Sequence, residues 1–301
     1  MLTARGEDQR RRGVTLVEMV VSLTLTGIVL GMVAAIGLRQ ERILADLGEQ
    51  AAVSARLREA AALLPIQLRA ARSQDIREAR DTSLEFRATI ATAVVCDTEP
   101  STLVLTPAGD GDEGYASFIS PVEAGDSVWV LLDTASATEW RAFLIAAAGT
   151  RSPGPCAAAA PLLSADASRR SRIAITIGPL PAAVIGLPLR VTRPTRFSLY
   201  HSADGWYLGQ RDWSNATARF TTIQPLAGPY LSPTARGLNF SYRDSTGAPL
   251  DQPVVDRSAI ASIRIELRGQ TRNPTRVLGA AARHGPSIDS TMLIVALQNR
   301  R

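Results

Sequence analysis

Between Glu18 and Arg39 stand twenty residues without a charge, Met19 to Leu38. At a rise of ~1.5 Å per residue, that is the length ~30 Å of hydrocarbon asks of a helix. Apolar positions then thin to a helical period. Ile43, Leu44, Leu47, Ala51, Leu57, Ala61 and Leu64 recur every three or four residues, while Arg39, Arg42, Asp46, Glu49, Arg56 and Glu59 fall mostly elsewhere. The pattern predicts a helix from Val14 to Leu64, ~76 Å long, with a membrane-spanning first half and an amphipathic second half. Pro65 kinks or stops it before a second helical piece to about Arg80.

From residue 81 the period is two. Leu84, Phe86, Ala88 and Ile90 alternate with polar or charged neighbours, and β-rich runs follow at 102–106, 127–132, 140–146, 172–177, 237–243, 260–268 and 290–297. In TRFSLYHSADGWYLGQRDW two such runs meet around Asp204-Gly205, a pair that tolerates positive φ and signals a hairpin. The Ala- and Pro-rich stretch 147–161 reads as a loop. The fold class is therefore α+β, a long N-terminal helix, transmembrane and then amphipathic, packed on an antiparallel β-sheet domain.

Composition narrows the function. With 301 residues, 46% hydrophobic and 20% charged, the chain can bury a real core in one or two domains. The formal charge is +5 and every basic residue is Arg, but the arginines are scattered among acids. No clustered basic face with interleaved aromatics forms, which argues against a nucleic-acid partner. Arg10-Arg11-Arg12 precede the apolar span, and by the positive-inside rule they keep the N-terminus cytoplasmic and send the bulk of the chain outward. A secretory signal peptide has only ~7–15 apolar residues before a small-residue cleavage site; here the apolar run is longer and passes straight into helical sequence. A plain signal anchor accounts for the span but not for Glu18. A carboxylate inside an apolar helix costs up to ~2.5–3.5 kcal/mol on insertion scales and calls for a partner.

Gly13 followed by Val14-Thr15-Leu16-Val17-Glu18, behind a basic leader and ahead of the apolar run, resembles the signal of type IV prepilins and of the pseudopilins of type II secretion. The resemblance implies that a membrane prepilin peptidase cuts between Gly13 and Val14 and that Val14 becomes the N-methylated N-terminus, with Glu18 the fifth mature residue. The family usually carries Phe or another large apolar residue where this chain has Val14. The leader holds four Arg against Glu7 and Asp8, a net +2, so cleavage leaves 5 − 2 = +3. In the filaments such proteins build, the glutamate of an incoming subunit meets the free N-terminal amine of a neighbour. An ammonium a few ångströms away favours the ionised carboxylate in low dielectric. That amine exists only after cleavage, so the leader acts as a lock on assembly. Gly27 and Gly31 form a GxxxG spacing, either a close helix-packing face or background.

The resemblance divides the chain into 1–13, a cleaved cytoplasmic leader; 14–38, the transmembrane half of the helix; 39–80, its amphipathic extracytoplasmic continuation; and 81–301, a β-rich pilin-like domain. About 220 outer residues are many for a major pilin, and the layout of FSLYHSADGWYL, LNFSYRDSTGAPL, IASIRIELRGQT and TMLIVALQNR resembles a minor pilin or minor pseudopilin. The implied partners are prepilin peptidase, other pilins or pseudopilins and inner-membrane lipid. The implied place is near the tip of a pilus or pseudopilus, with the outer domain periplasmic.

Chemistry-bearing residues are few. Cys96 and Cys156 both fall on the predicted outer side, where an oxidising compartment and an even count favour a disulfide, and two cysteines cannot supply a four-ligand zinc site. Asp110, Asp112 and Glu113 in GDGDEG cluster oxygens that suit calcium but lack the later ligands of an EF-hand loop, so a solvated acidic turn is the better reading. His201 and His284 are the two histidines, and no GxSxG, GxxxxGK[ST] or HExxH occurs. The expectation is a subunit without catalytic residues or cofactor. Its alternative is a signal-anchored extracytoplasmic enzyme or ligand-binding module.

Overall fold

The computed structural model describes residues 15–99, 102–106, 116–134, 137–147, 149, 151–153, 171–177, 185–202, 205–271, 275–276 and 284–298. Among them are one α-helix, α1 (Leu16–Leu68), and seventeen strands. The strands are β1 (Ile76–Ala79), β2 (Ser83–Glu99), β3 (Thr102–Leu105), β4 (Ser117–Phe118), β5 (Ser127–Thr134), β6 (Ala137–Ala147), β7 (Arg151–Pro153), β8 (Ser171–Ile177) and β9 (Pro188–Ser202). They continue as β10 (Gly205–Ser214), β11 (Arg219–Phe220), β12 (Gln224–Tyr230), β13 (Leu238–Arg243), β14 (Ser262–Gln270), β15 (Thr275–Arg276), β16 (His284–Gly285) and β17 (Ile288–Ala296). All pairings are antiparallel. The α+β layout expected from the sequence is the one observed.

Two compact units share the chain. The first holds Met1–Ala52 and Thr271–Ser287; the second holds Val53–Gln270 and Ile288–Arg301. In the first, the β15–β16 pair joins Thr275 to Gly285 and Arg276 to His284, and the Ser287 amide donates to Thr271 Oγ1 at 3.0 Å.

The second unit is organised by the last four turns of α1. Val53, Leu57, Ala60, Leu64 and Leu68, spaced by three or four residues, are all buried. They pack with Phe86, Phe197, Tyr230, Phe240, Ile265 and Leu267 in one apolar core. Gly269 on β14 permits the close approach of helix and strand, because a Cβ there would lie 3.0 Å from Val53 Cγ1. Tyr230 and Tyr242 carry their hydroxyls to backbone carbonyls, of Arg56 at 3.2 Å and Arg80 at 2.9 Å, so burying the rings strands no polar atom.

The helical piece expected between Pro65 and Arg80 is not there. Pro65 removes one helical hydrogen bond, yet the fully buried Leu64 and Leu68 hold the turn around it, and the Arg69 amide still donates to the Pro65 carbonyl at 2.9 Å. After Leu68 the chain leaves the helix. Asp75 accepts the Arg72 amide at 2.9 Å, and Ile76–Ala79 pairs with β2, with Ile76 and Ala79 turned inward. Strand pairing with β2 outweighs the helical piece expected there.

β2 and β9 are the long strands, and between them the sheet closes. β2 pairs with β3, β3 with β8, β8 with β6, β6 with β5, β5 with β9 and β9 again with β2. Inside this ring lie Val95, Leu103, Leu105, Val128, Val130, Ile145, Ile175 and Val191, a second apolar core. The alternation of the pleat sends Trp129 and Arg190, each between two core residues, to the outer face. Within the stretch 147–161 expected as a loop, β7 pairs with β8. The expected hairpin is present, β9 and β10 running antiparallel with Ser202 opposite Gly205.

Two buried Arg–Asp pairs fasten this unit. Arg190 reaches Asp75 at 2.8 and 3.2 Å. Arg193 grips Asp126 through Nε at 2.8 Å and Nη2 at 2.7 Å, while Asn215 and the Glu123 amide satisfy the same carboxylate. The hydrogen bond to Asp126, opposed by burial, raises the Arg193 pKa further.

Candidate functional site

The helix begins at a cap. Thr15 lies just before α1, and its Oγ1 accepts the Glu18 amide at 3.3 Å while its carbonyl accepts the Met19 amide at 3.1 Å. Thr15 thus satisfies one of the amides a helix start leaves unpaired. Glu18 stands in the first turn, exposed, where the positive end of the helix dipole favours a carboxylate. Glu18 therefore has a local reason for its place beside any intermolecular one. Sequence reasoning passed over Thr15, although Thr15-Leu16-Val17-Glu18 before an apolar run has the spacing of a capping box.

Beyond the cap, the helix surface is apolar and uncovered. Leu23, Leu30, Met32 and Val33 are each more than 60% exposed, against none for Leu64, about one turn before the end of α1. The threonine hydroxyls in this span are already satisfied, Thr24 donating to the Val20 and Val21 carbonyls at 3.0 and 2.9 Å and Thr26 to the Ser22 carbonyl at 2.7 Å. A helix whose polar side chains bond its own backbone suits hydrocarbon, where an unsatisfied group costs several kcal/mol. Gly27 and Gly31 have open space where a Cβ would stand.

Other sequence-derived sites separate. Gly13 and Val14, on either side of the expected cut, lie outside the described residues, as do Cys156, Asp110, Asp112 and Glu113. Cys96 is fully buried on β2, and the described residues contain no free cysteine. His201, on β9, packs edge-on against Trp206 with ring centroids 5.3 Å apart. No group of three or more His, Cys, Asp or Glu that could hold a metal occurs among the described residues.

The class so defined is an α+β protein with one helix, among the described residues, that is long and apolar enough to cross a membrane and that ends in the core of an antiparallel sheet domain. Residues 8–34 match the family model of the prokaryotic N-terminal methylation motif, so the chain carries the signal of type IV prepilins and pseudopilins. That motif implies processing by prepilin peptidase and assembly with other pilins. The match covers under a tenth of the chain. No curated protein and no solved structure matches it.

Proposed function

We propose that this protein is a non-catalytic minor pilin or pseudopilin. Prepilin peptidase cuts it between Gly13 and Val14, and the Val14 amine is methylated. The span to Leu38 anchors it in the bacterial inner membrane, N-terminus cytoplasmic and β domain periplasmic. Assembly places it near the tip of a type IV pilus or type II secretion pseudopilus, Glu18 meeting the amine of a neighbouring subunit.

The observation that carries this reading is the methylation motif at residues 8–34, set on a helix of which the apolar span is wholly unburied. An unburied span needs lipid or neighbouring helices around it. The size of the outer region supports a minor rather than a major subunit, and two cysteines suit a bridge on an oxidising side of the membrane.

N-terminal sequencing of the membrane-bound protein is the test. A chain beginning at N-methylated Val14 is expected. A chain beginning at Met1, or cut beyond residue 38, overturns the proposal. Gly13→Val should leave the protein inserted and thirteen residues longer, because the apolar span is untouched.

A further inference from the structure

On the outer face of the closed strand ring, side chains of alternating register meet the end of α1. Arg190 stands opposite Trp129 on β5 and opposite Thr92 on β2, and Trp140 on β6 pairs with Leu131, two residues beyond Trp129 and so on the same face. The Arg190 guanidinium carbon is 5.1 Å from the centroid of Trp129 and 6.0 Å from that of Trp140. Arg72, just past the helix, lays its guanidinium over Trp140 at 4.7 Å. Together with Gln298, whose backbone amide is tied to the Ala71 carbonyl at 3.1 Å, Arg72, Trp140, Arg190 and Thr92 border a cleft of about 430 Å³.

Among the described residues, its wall holds two guanidinium groups and no carboxylate. Asp75 pairs with Arg190 from behind, leaving one positive charge in excess. The Arg72 side chain makes no ion pair among the described residues, and burial followed by the nearness of Arg190 lowers its pKa, Asp75 opposing. Arg190 is 92% removed from solvent, and its Nε finds no acceptor among the described residues. A buried, unpaired donor beside an uncompensated cation is costly unless something negative completes it. Val94 and Pro188, paired on the same outer face, and Ala70 add apolar surface beside Trp140.

We infer that this cleft binds a carboxylate carried on an aromatic or aliphatic group, Arg72 and Arg190 taking the carboxylate and Trp140 the apolar body. The Arg72 fork matches a planar carboxylate, while Arg190, whose Nη1 and Nη2 are held by Asp75, contributes its charge and its Nε; one surplus charge suits a monoanion better than a phosphate dianion. Stacking on Trp140 holds Arg72 in place before a ligand arrives, which lessens the ordering cost of binding. This inference stands apart from the role in assembly, because every residue it uses belongs to the second unit.

The test uses full-length protein in a neutral detergent, titrated with phenylacetate, with phenylacetamide as uncharged control, and with a hexapeptide ending in Phe with free or amidated carboxyl group. The indole resonances of the tryptophans and calorimetry report binding. Saturable binding of the acids, with each amide at least about tenfold weaker, is expected. Arg72→Gln and Trp140→Ala should each weaken the acids by about tenfold at unchanged circular dichroism and Tm, since neither side chain belongs to an apolar core. Tighter binding of the free-carboxyl peptide would assign the site to a chain end, and tighter binding of phenylacetate to a small molecule. Equal binding of acid and amide, no saturable binding of either acid, or indifference to both substitutions overturns the inference.

Discussion

Glu18 has two duties at the scale of one residue, and they are separable. Its backbone amide is held by Thr15 whatever the side chain, so Glu18→Val keeps the cap and loses only a dipole contribution of ~0.3–1 kcal/mol. The variant should insert at least as well as wild type and still be cut after Gly13. Removing one member of a charge pair in a dry setting costs ~3–5 kcal/mol, two to three decades in an association constant. Crosslinking to co-expressed pilins at equal membrane abundance should fall accordingly, and undiminished crosslinking would remove the intermolecular role. Tyr230 and Tyr242 give a second residue-scale prediction. Burial, reinforced by Glu59 at the first and Asp81 at the second, pushes both phenols well above their ordinary range. The unfolded chain ionises them near ~10, so their stabilisation is complete below that pH and is lost as pH rises toward the folded values. The Tm of wild type should drop steeply above pH ~10. A Tyr230→Phe/Tyr242→Phe variant should start ~1–3 kcal/mol less stable from two lost hydrogen bonds and decline less over the same range.

At the scale of the element, α1 is one helix with two solvents. Leu64 is fully buried, whereas Leu44 is 67% exposed. Leu64→Ala should cost ~2–5 kcal/mol of unfolding free energy, by transfer and cavity together, and Leu44→Ala should stay within ~0.5 kcal/mol. Denaturant titration of the two variants in detergent checks this, and comparable losses would contradict the packing described. The helical repeat in the sequence marked Leu57 and Leu64 correctly as inward positions. It ran on past Leu68 because periodicity registers spacing without knowing that β2 offers Ile76 and Ala79 a sheet edge.

For the whole molecule, the closed ring joins strands far apart in sequence. Cys96 sits on β2, the strand that both opens and closes it. A bridge from Cys96 to Cys156 would close a loop worth ~4 kcal/mol in the chain-entropy model. Thiol labelling of denatured, unreduced protein should find no reactive cysteine, and reduction should lower the denaturation midpoint. Two reactive thiols before reduction would exclude the bridge.

The span Met19–Leu38, the acid at Glu18, the motif around Gly13 and most strands are local in character, set by composition and period over short stretches, and so were legible from the sequence alone. The Thr15 cap is local as well, carried by the spacing of Thr15 to Glu18 before the apolar run. Tertiary structure decided the rest. Ring closure depends on β9 pairing with β2 along one edge and β5 along the other, and no local period encodes which strands become neighbours. The Arg190–Asp75 pair spans 115 positions, and the meeting of Arg72, Arg190 and Trp140 needs two separate strands and a helix end. Such groups are brought together only when burial of the two apolar cores has fixed the chain path, because the hydrophobic effect that drives that burial is non-directional, and the pleat and the pairing turn it into particular neighbours.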